Sequence, residues 1–145
     1  MSTESDVSED RGDHDTPDTL SLRNISPMLT VGDIDASLVC YRDVVGFHVQ
    51  ETWEHEGKLG GAALVAGTAS LFLGQDDWAK GRDRVQGEAF QLIMTTADDV
   101  DAVAAGIEER GGTLETPPTD NPWGWACTLV DPDGFKIMIS TQQGE

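Results

Sequence analysis

The chain has 145 residues, enough for one domain with a real core, or for two small modules sharing one. Its formal net charge is −18, with 27 Asp and Glu against 9 Lys and Arg, so a polyanion such as nucleic acid is a poor partner. No apolar run approaches the roughly 18 residues of a membrane span, and the acidic, polar start does not read as a signal peptide, so the expectation is a cytoplasmic protein with no membrane partner.

Residues 1–21 are mostly Ser, Thr, Asp, Glu and Pro, and read as a disordered acidic tail. Leu22 to Val31 is the first strand candidate, with Pro27 favouring an edge position or the strand's start. Asp33 then reads as a helix cap, because its carboxylate can accept from free first-turn amides. Ile34, Leu38, Tyr41 and Val45 form the apolar stripe of that helix, and Gly46 ends it. Phe47 to Trp53, Ala62 to Ala66 and Ser70 to Leu73 read as three strands. Gln75 to Gly87 is a polar connector that contains Trp78. The next strand runs from Glu88 to Ala97. Asp99 repeats the cap, and Val100, Ala104 and Ile107 repeat the stripe until Gly111-Gly112. Thr113 to Thr116 reads as a short strand, and Pro117-Pro118 with Asn121-Pro122 as a loop. Cys127, Leu129 and Val130 lead to the turn Asp131-Pro132-Asp133-Gly134, and Phe135 to Ile139 return from it as a hairpin.

The two halves match at an offset of 66 residues. Val31-Gly32-Asp33 falls on Ala97-Asp98-Asp99, Gly46 on Gly112, and Leu71-Phe72-Leu73 on Ile137-Met138-Ile139. Several matches of like character at one offset point to a duplicated supersecondary unit. The expected architecture is α+β: two tandem βαβββ modules forming a curled mixed sheet around a cleft, with the helices outside. The modules span 22–77 and 88–142, joined by a connector at 78–87.

At these residues the chain resembles the vicinal oxygen chelate superfamily of glyoxalases, bleomycin resistance proteins and extradiol dioxygenases. The carrying segments are Val31-Gly32-Asp33-Ile34-Asp35-Ala36-Ser37, Tyr41-Arg42-Asp43-Val44-Val45-Gly46-Phe47, Ala97-Asp98-Asp99-Val100-Asp101, and Trp123-Gly124 followed by Asp131-Pro132-Asp133-Gly134-Phe135. The resemblance implies paired βαβββ modules, a homodimer, and a cleft completed within one chain or between two. It also implies a divalent ion held by His, Glu or Gln from the first and fourth strands of each module. The matching positions here are Ser26, Phe72, Leu92 (with Gln91 beside it) and Met138. Phe and Leu offer no donor, and the Met thioether is a poor partner for hard or borderline cations. The expectation is therefore that the protein holds no metal and no other cofactor.

Other chemistry is sparse. His55 stands between Glu54 and Glu56, but adjacent strand residues point to opposite faces, so the three do not converge. Cys40 and Cys127 sit in apolar contexts without a histidine partner and read as buried free thiols. No catalytic residue is assigned. The expected ligand-binding residues are Met28, Trp53, Phe72, Trp78, Phe90, Leu92, Trp123, Trp125 and Met138, an apolar and aromatic set suited to planar or cationic molecules. The acids are scattered and lysine is scarce throughout, which fits a surface adapted to high salt as well as a groove for a cationic ligand.

The expected function is a metal-independent small-molecule-binding protein of the glyoxalase/bleomycin-resistance type that sequesters a toxic or cationic aromatic compound. The alternative is a glyoxalase- or dioxygenase-like lyase or isomerase. Without a metal such an enzyme would draw on Glu88, His48 or Glu51. A third reading is a structural dimer whose cleft is filled by its own bulky side chains.

Overall fold

The computed structural model describes residues 18–83, 86–122 and 124–141. The expected acidic tail lies almost wholly outside these residues, as does Trp123. The first half comprises β1 (Met28–Val31), α1 (Ile34–Leu38), β2 (His48–His55), β3 (Lys58–Ala66) and β4 (Ala69–Gln75). The second comprises β5 (Gln91–Thr96), α2 (Val100–Glu109), β6 (Leu114–Asn121), β7 (Gly124–Val130) and β8 (Lys136–Thr141). No helix among the described residues is long and apolar enough to cross a membrane.

Local chemistry explains each boundary. Asp33 caps α1, its Oδ1 accepting from the amides of Asp35 at 3.1 Å and Ala36 at 3.4 Å. Asp99 caps α2 by accepting from the Asp101 amide at 3.2 Å. Beyond Leu38 the first helix widens into a π-helical run, Val39–Val45. Gly46 closes it in the left-handed region, φ +112°, while the amides of Gly46 and Phe47 both donate to the Tyr41 carbonyl, at 3.0 and 2.8 Å. The β2–β3 hairpin turns through Glu56 and Gly57, both at positive φ, the geometry of a tight hairpin turn.

The eight strands form two separate four-stranded sheets, ordered β1-β4-β3-β2 and β5-β8-β7-β6. In each, the first and fourth strands pair in parallel and the remaining neighbours antiparallel. The duplicated βαβββ plan is therefore present. The expected curled sheet is not: among the described residues no hydrogen-bonded ladder joins the halves, and neither sheet is curled or closed.

The physical reason is where the apolar stripes go. Helix α1 packs on β3 and β4, and α2 packs on β6, β7 and β8 while also meeting the π-helical run, so that one core cluster takes residues from both halves. Leu29, Val31, Leu64, Leu71 and Leu73 of the first sheet share it with Ile107, Cys127, Leu129 and Ile137 of the second half. Burying both stripes in one core removes more apolar surface from water than leaving each helix to cover one sheet alone.

Polar contacts lock this junction. Tyr41, fully buried, donates its hydroxyl to Asp131 Oδ2 at 2.6 Å. Asp131 Oδ1 accepts from the amides of Asp133 and Phe135, at 2.8 and 2.9 Å. Asp133 Oδ1 reaches across to the Gly32 amide at 2.8 Å, and Arg110 Nε donates to the Val44 carbonyl at 3.0 Å. The Asp-Pro-Asp-Gly turn is thus a hairpin corner and also the clasp between halves.

The expected loop at Pro117-Pro118 is part of β6 instead. This is an edge strand, and its register slips between Leu114 and Thr116 and again between Thr116 and Thr119, so the prolines fall where the ladder is already broken.

Candidate functional site

Because the helix-facing sides are consumed by the shared core, each sheet leaves its other face outward. The ladders fix which residues lie there. On the first sheet Met28, Phe72, Ala63 and Glu51 stand in one cross-strand row. Thr30, Gly74, Gly61 and Trp53 form the next row. Ser70, Val65 and His48 form a third, and Ser26 is hydrogen-bonded to Ser70 hydroxyl to hydroxyl. On the second sheet the corresponding row is Ile93, Met138, Thr128 and Thr116, followed by Thr95, Ser140, Ala126 and Thr119.

These faces carry large apolar side chains that remain open to solvent. Met28 is 60% exposed, Ile93 57% and Trp53 39%. The Trp53 ring lies over Gly61: a Cβ added there would come within 2.2–2.4 Å of three indole atoms. Met28 similarly leans over Gly74, where an added Cβ would stand 2.9 Å from its terminal methyl. A cavity of about 890 Å³ lies between the halves, lined among others by Phe47, Ser70 and Leu71 of the first and Leu92, Ile93 and Met94 of the second.

Of the residues expected to bind a ligand, the structure brings Met28, Trp53 and Phe72 together on the first sheet. It places Met138 on the outer face of the second. Leu92 instead packs against the core from the helix side and also lines the cavity between the halves. Phe90 stands edge-on to Phe135, centroids 5.3 Å apart, beside the clasp. Trp125 donates its indole N–H to Asp101 at the start of α2, 2.7 Å away, so it too lies on the helix side. Trp78 packs by the Gly32 turn, where an added Cβ would meet its ring at 3.2 Å, and the Arg82 guanidinium sits 4.5 Å from its centroid.

Ile93 was missed on this face, while Glu51 was named only for a metal-free enzyme and Gln91 only as the neighbour of Leu92. Met28 pairs with Phe72 as Ile93 pairs with Met138, so the repeat is offset by 65 residues at β1 and β5 but by 66 at β4 and β8. One slipped residue exchanges the faces of a strand. The exposure alternation of β5, with Ile93 open and Leu92 and Met94 packed on the core, reveals the slip. On this register the four positions of the resembled metal site are Ser26, Phe72, Gln91 and Met138. Two polar uncharged side chains with a phenyl ring and a thioether do not fit a divalent cation. Among the described residues no group of three or more His, Cys, Asp and Glu is arranged to hold a metal.

The remaining titratable groups of the interior are structural. Burial pushes the Cys40 thiol up to about 12, with the Asp131 charge adding to it. Burial likewise raises Cys127. Neither is poised as a thiolate nucleophile. Burial raises Tyr41 as well, helped by its hydrogen bond to Asp131. Asp131 is raised by burial, against the opposing pull of Tyr41 and two backbone amides.

Residues 25–139 match the family model of the Glyoxalase/Bleomycin resistance protein/Dioxygenase superfamily. Over 135 residues the chain is 30% identical to a lactoylglutathione lyase of Haemophilus influenzae, covering 81% of this chain and 93% of that protein. Among solved structures it resembles TnmS3, an antibiotic binding protein from Streptomyces sp. CB03234, with a TM-score of 0.66 at 23% identity over 86% of this chain and 100% of that one. A glyoxalase/bleomycin resistance protein from the same source aligns with a TM-score of 0.61 at 27% identity, covering 79% of this chain and 96% of that one.

Proposed function

The chain belongs to the Glyoxalase/Bleomycin resistance protein/Dioxygenase superfamily, and from that premise we propose that it is a metal-independent binding protein that sequesters a small aromatic molecule. One observation carries this reading: where a metal floor would be built, the outer sheet faces carry a half-buried Phe72 and a buried Met138, with Met28, Ile93 and Trp53 exposed beside them. Such a surface holds a flat apolar ligand by burial and ring stacking, and supplies no Lewis acid for turnover. The likeness to an antibiotic binding protein agrees with it. The two sheets are separate in one chain, and the proposal includes a homodimer in which the first sheet of one copy closes over the second sheet of the other.

The 30% identity to a lactoylglutathione lyase favours a second reading, a lyase or isomerase. Thermal unfolding against a panel of nickel, zinc, manganese, bleomycin-type drugs and planar aromatic compounds separates the two. A ligand of the native state at a hundredfold excess over Kd adds about 2.7 kcal/mol, a shift of several degrees. An aromatic compound that raises the midpoint while metals do nothing supports sequestration. A metal-dependent shift accompanied by turnover of lactoylglutathione sinks it in favour of the enzyme.

A further inference from the structure

We propose that residues 18–25 form a strap that closes over the cavity between the two halves of their own chain. The duplicated plan supplies the comparison. At the 65-residue offset of the first strands, Ile25 falls on Phe90, Ser26 on Gln91 and Pro27 on Leu92. The segment that enters β5 is fastened to the second half. Gly87 donates its amide to the Asp133 carbonyl at 3.0 Å, Phe90 donates to the Gly87 carbonyl at 3.1 Å, and the Phe90 ring stands on Phe135. The segment that enters β1 is not fastened in this way. Pro27 has no N–H to extend the ladder, so β1 begins at Met28 whereas β5 begins at Gln91. Among the described residues before Pro27, only Ser26 is hydrogen-bonded outside the segment, to the Ser70 hydroxyl. Ile25 is 83% exposed against 42% for Phe90, and Leu20 and Leu22 are exposed beside it.

Where Phe90 covers the β7–β8 turn, the matching β3–β4 turn, Gly67 to Ser70, lines the cavity of about 890 Å³ instead. The cavity walls include Val45, Phe47, Leu71, Met94 and Val103, and Asn24, Ile25 and Pro27 already line it, so the strap starts at the cavity. Leu22 is five residues from Pro27, a reach of up to about 17 Å. Closing buries apolar side chains of the strap and of the walls together. Charge favours it as well. Asp98 is the one charged residue among those lining the cavity, and Arg23 is the one basic residue of the strap. Among the described residues neither Arg23 nor Asp98 is held in an ion pair, and closing brings the two together. Strand β5 is an edge of its sheet, so a strap over it also shields an edge that a second chain could pair with.

The test is NMR of the full chain with labelled methyl groups. The expected result is nuclear Overhauser contacts from the Leu22 methyls to Met94 and Val103. A sample that mixes labelled and unlabelled copies tells whether they arise within one chain. Leu20→Ser combined with Leu22→Ser removes the contacts and speeds amide exchange at residues 92–98 by about tenfold, while exchange in β7 stays unchanged and shows that the fold is intact. Asp98→Lys speeds the same exchange by about threefold at low salt, and adding Arg23→Glu restores it. Contacts found only between copies overturn closure within the chain. No contact, with exchange indifferent to the two leucines, overturns the strap altogether. A strap that needs its leucines but ignores the charge reversal overturns the pairing of Arg23 with Asp98. None of these outcomes depends on the outer sheet faces, so the sequestration reading stands or falls separately.

Discussion

A hydrogen bond from Tyr41 to Asp131, 2.6 Å long and buried, crosses between the two halves. Tyr41→Phe keeps the ring and its edge-on contact with Phe47, centroids 6.1 Å apart, but strips a donor from a buried carboxylate. Hydrogen bonds to charged groups contribute about 1.5–3 kcal/mol, and we expect a loss of that size in urea unfolding with an unchanged m-value. Asp131→Asn behaves differently. Its amide oxygen can still accept from the amides of Asp133 and Phe135, and its NH₂ can donate to the Tyr41 oxygen. Burial raises the Asp131 carboxyl above its ordinary value of 3.8, so the folded state holds this proton more tightly than the unfolded state does. The resulting stabilisation is full below the unfolded value and is lost as pH rises through the folded one. Asp131→Asn therefore gains on the wild type as pH rises from about 3 toward neutrality. Unfolding curves collected for both proteins across that range give the difference directly; a gap that is flat with pH would contradict the assignment.

At the scale of elements, both helix caps were legible in the sequence, because an Asp ahead of an apolar stripe has a clear job at free amides. Asp33 satisfies two such amides and Asp99 one. Asp33→Ala should cost about 1 kcal/mol, and its midpoint in urea should move accordingly. The β7–β8 hairpin was legible for the same reason: Asp-Pro-Asp-Gly between apolar runs has few other uses, and Val130 does pair with Lys136. What the pattern hid was anything requiring register between strands distant in sequence. Phe90 and Leu92 share a parity with Met94, and a constant repeat offset put all three on the ligand side. The offset is one residue shorter at β5, so Gln91, Ile93 and Thr95 take the outer face instead. Trp78 and Trp125 carried no signal of the Arg82 and Asp101 that they meet, because those partners are fixed only by the fold. Asp131 and Asp133 read as turn residues and gave no hint that Tyr41 and Gly32 wait across the junction.

For the whole molecule the decisive quantity is charge. The helix stripes could be assigned from sequence but not their destination, since an apolar face can be covered by its own sheet, the other half, or a second copy. Here each covers its own sheet and joins a core shared with the other half, and the faces with Met28, Ile93 and Trp53 are left for the proposed dimer. Bringing those faces together brings two chains of formal charge −18 into contact. The core of the proposed interface is apolar, so its attraction does not weaken with salt, whereas the repulsion does: the screening length falls from about 10 Å at 0.1 M to about 3 Å at 1 M. Dimerisation should therefore tighten with added potassium chloride, by tenfold or more across that interval, and sedimentation equilibrium at the two concentrations measures it. An interface held by ion pairs would weaken over the same range. If the chain instead remains monomeric at every salt concentration, the exposed sheet faces must meet their ligand without a second wall, and Trp53 and Phe72 would have to hold it from one side.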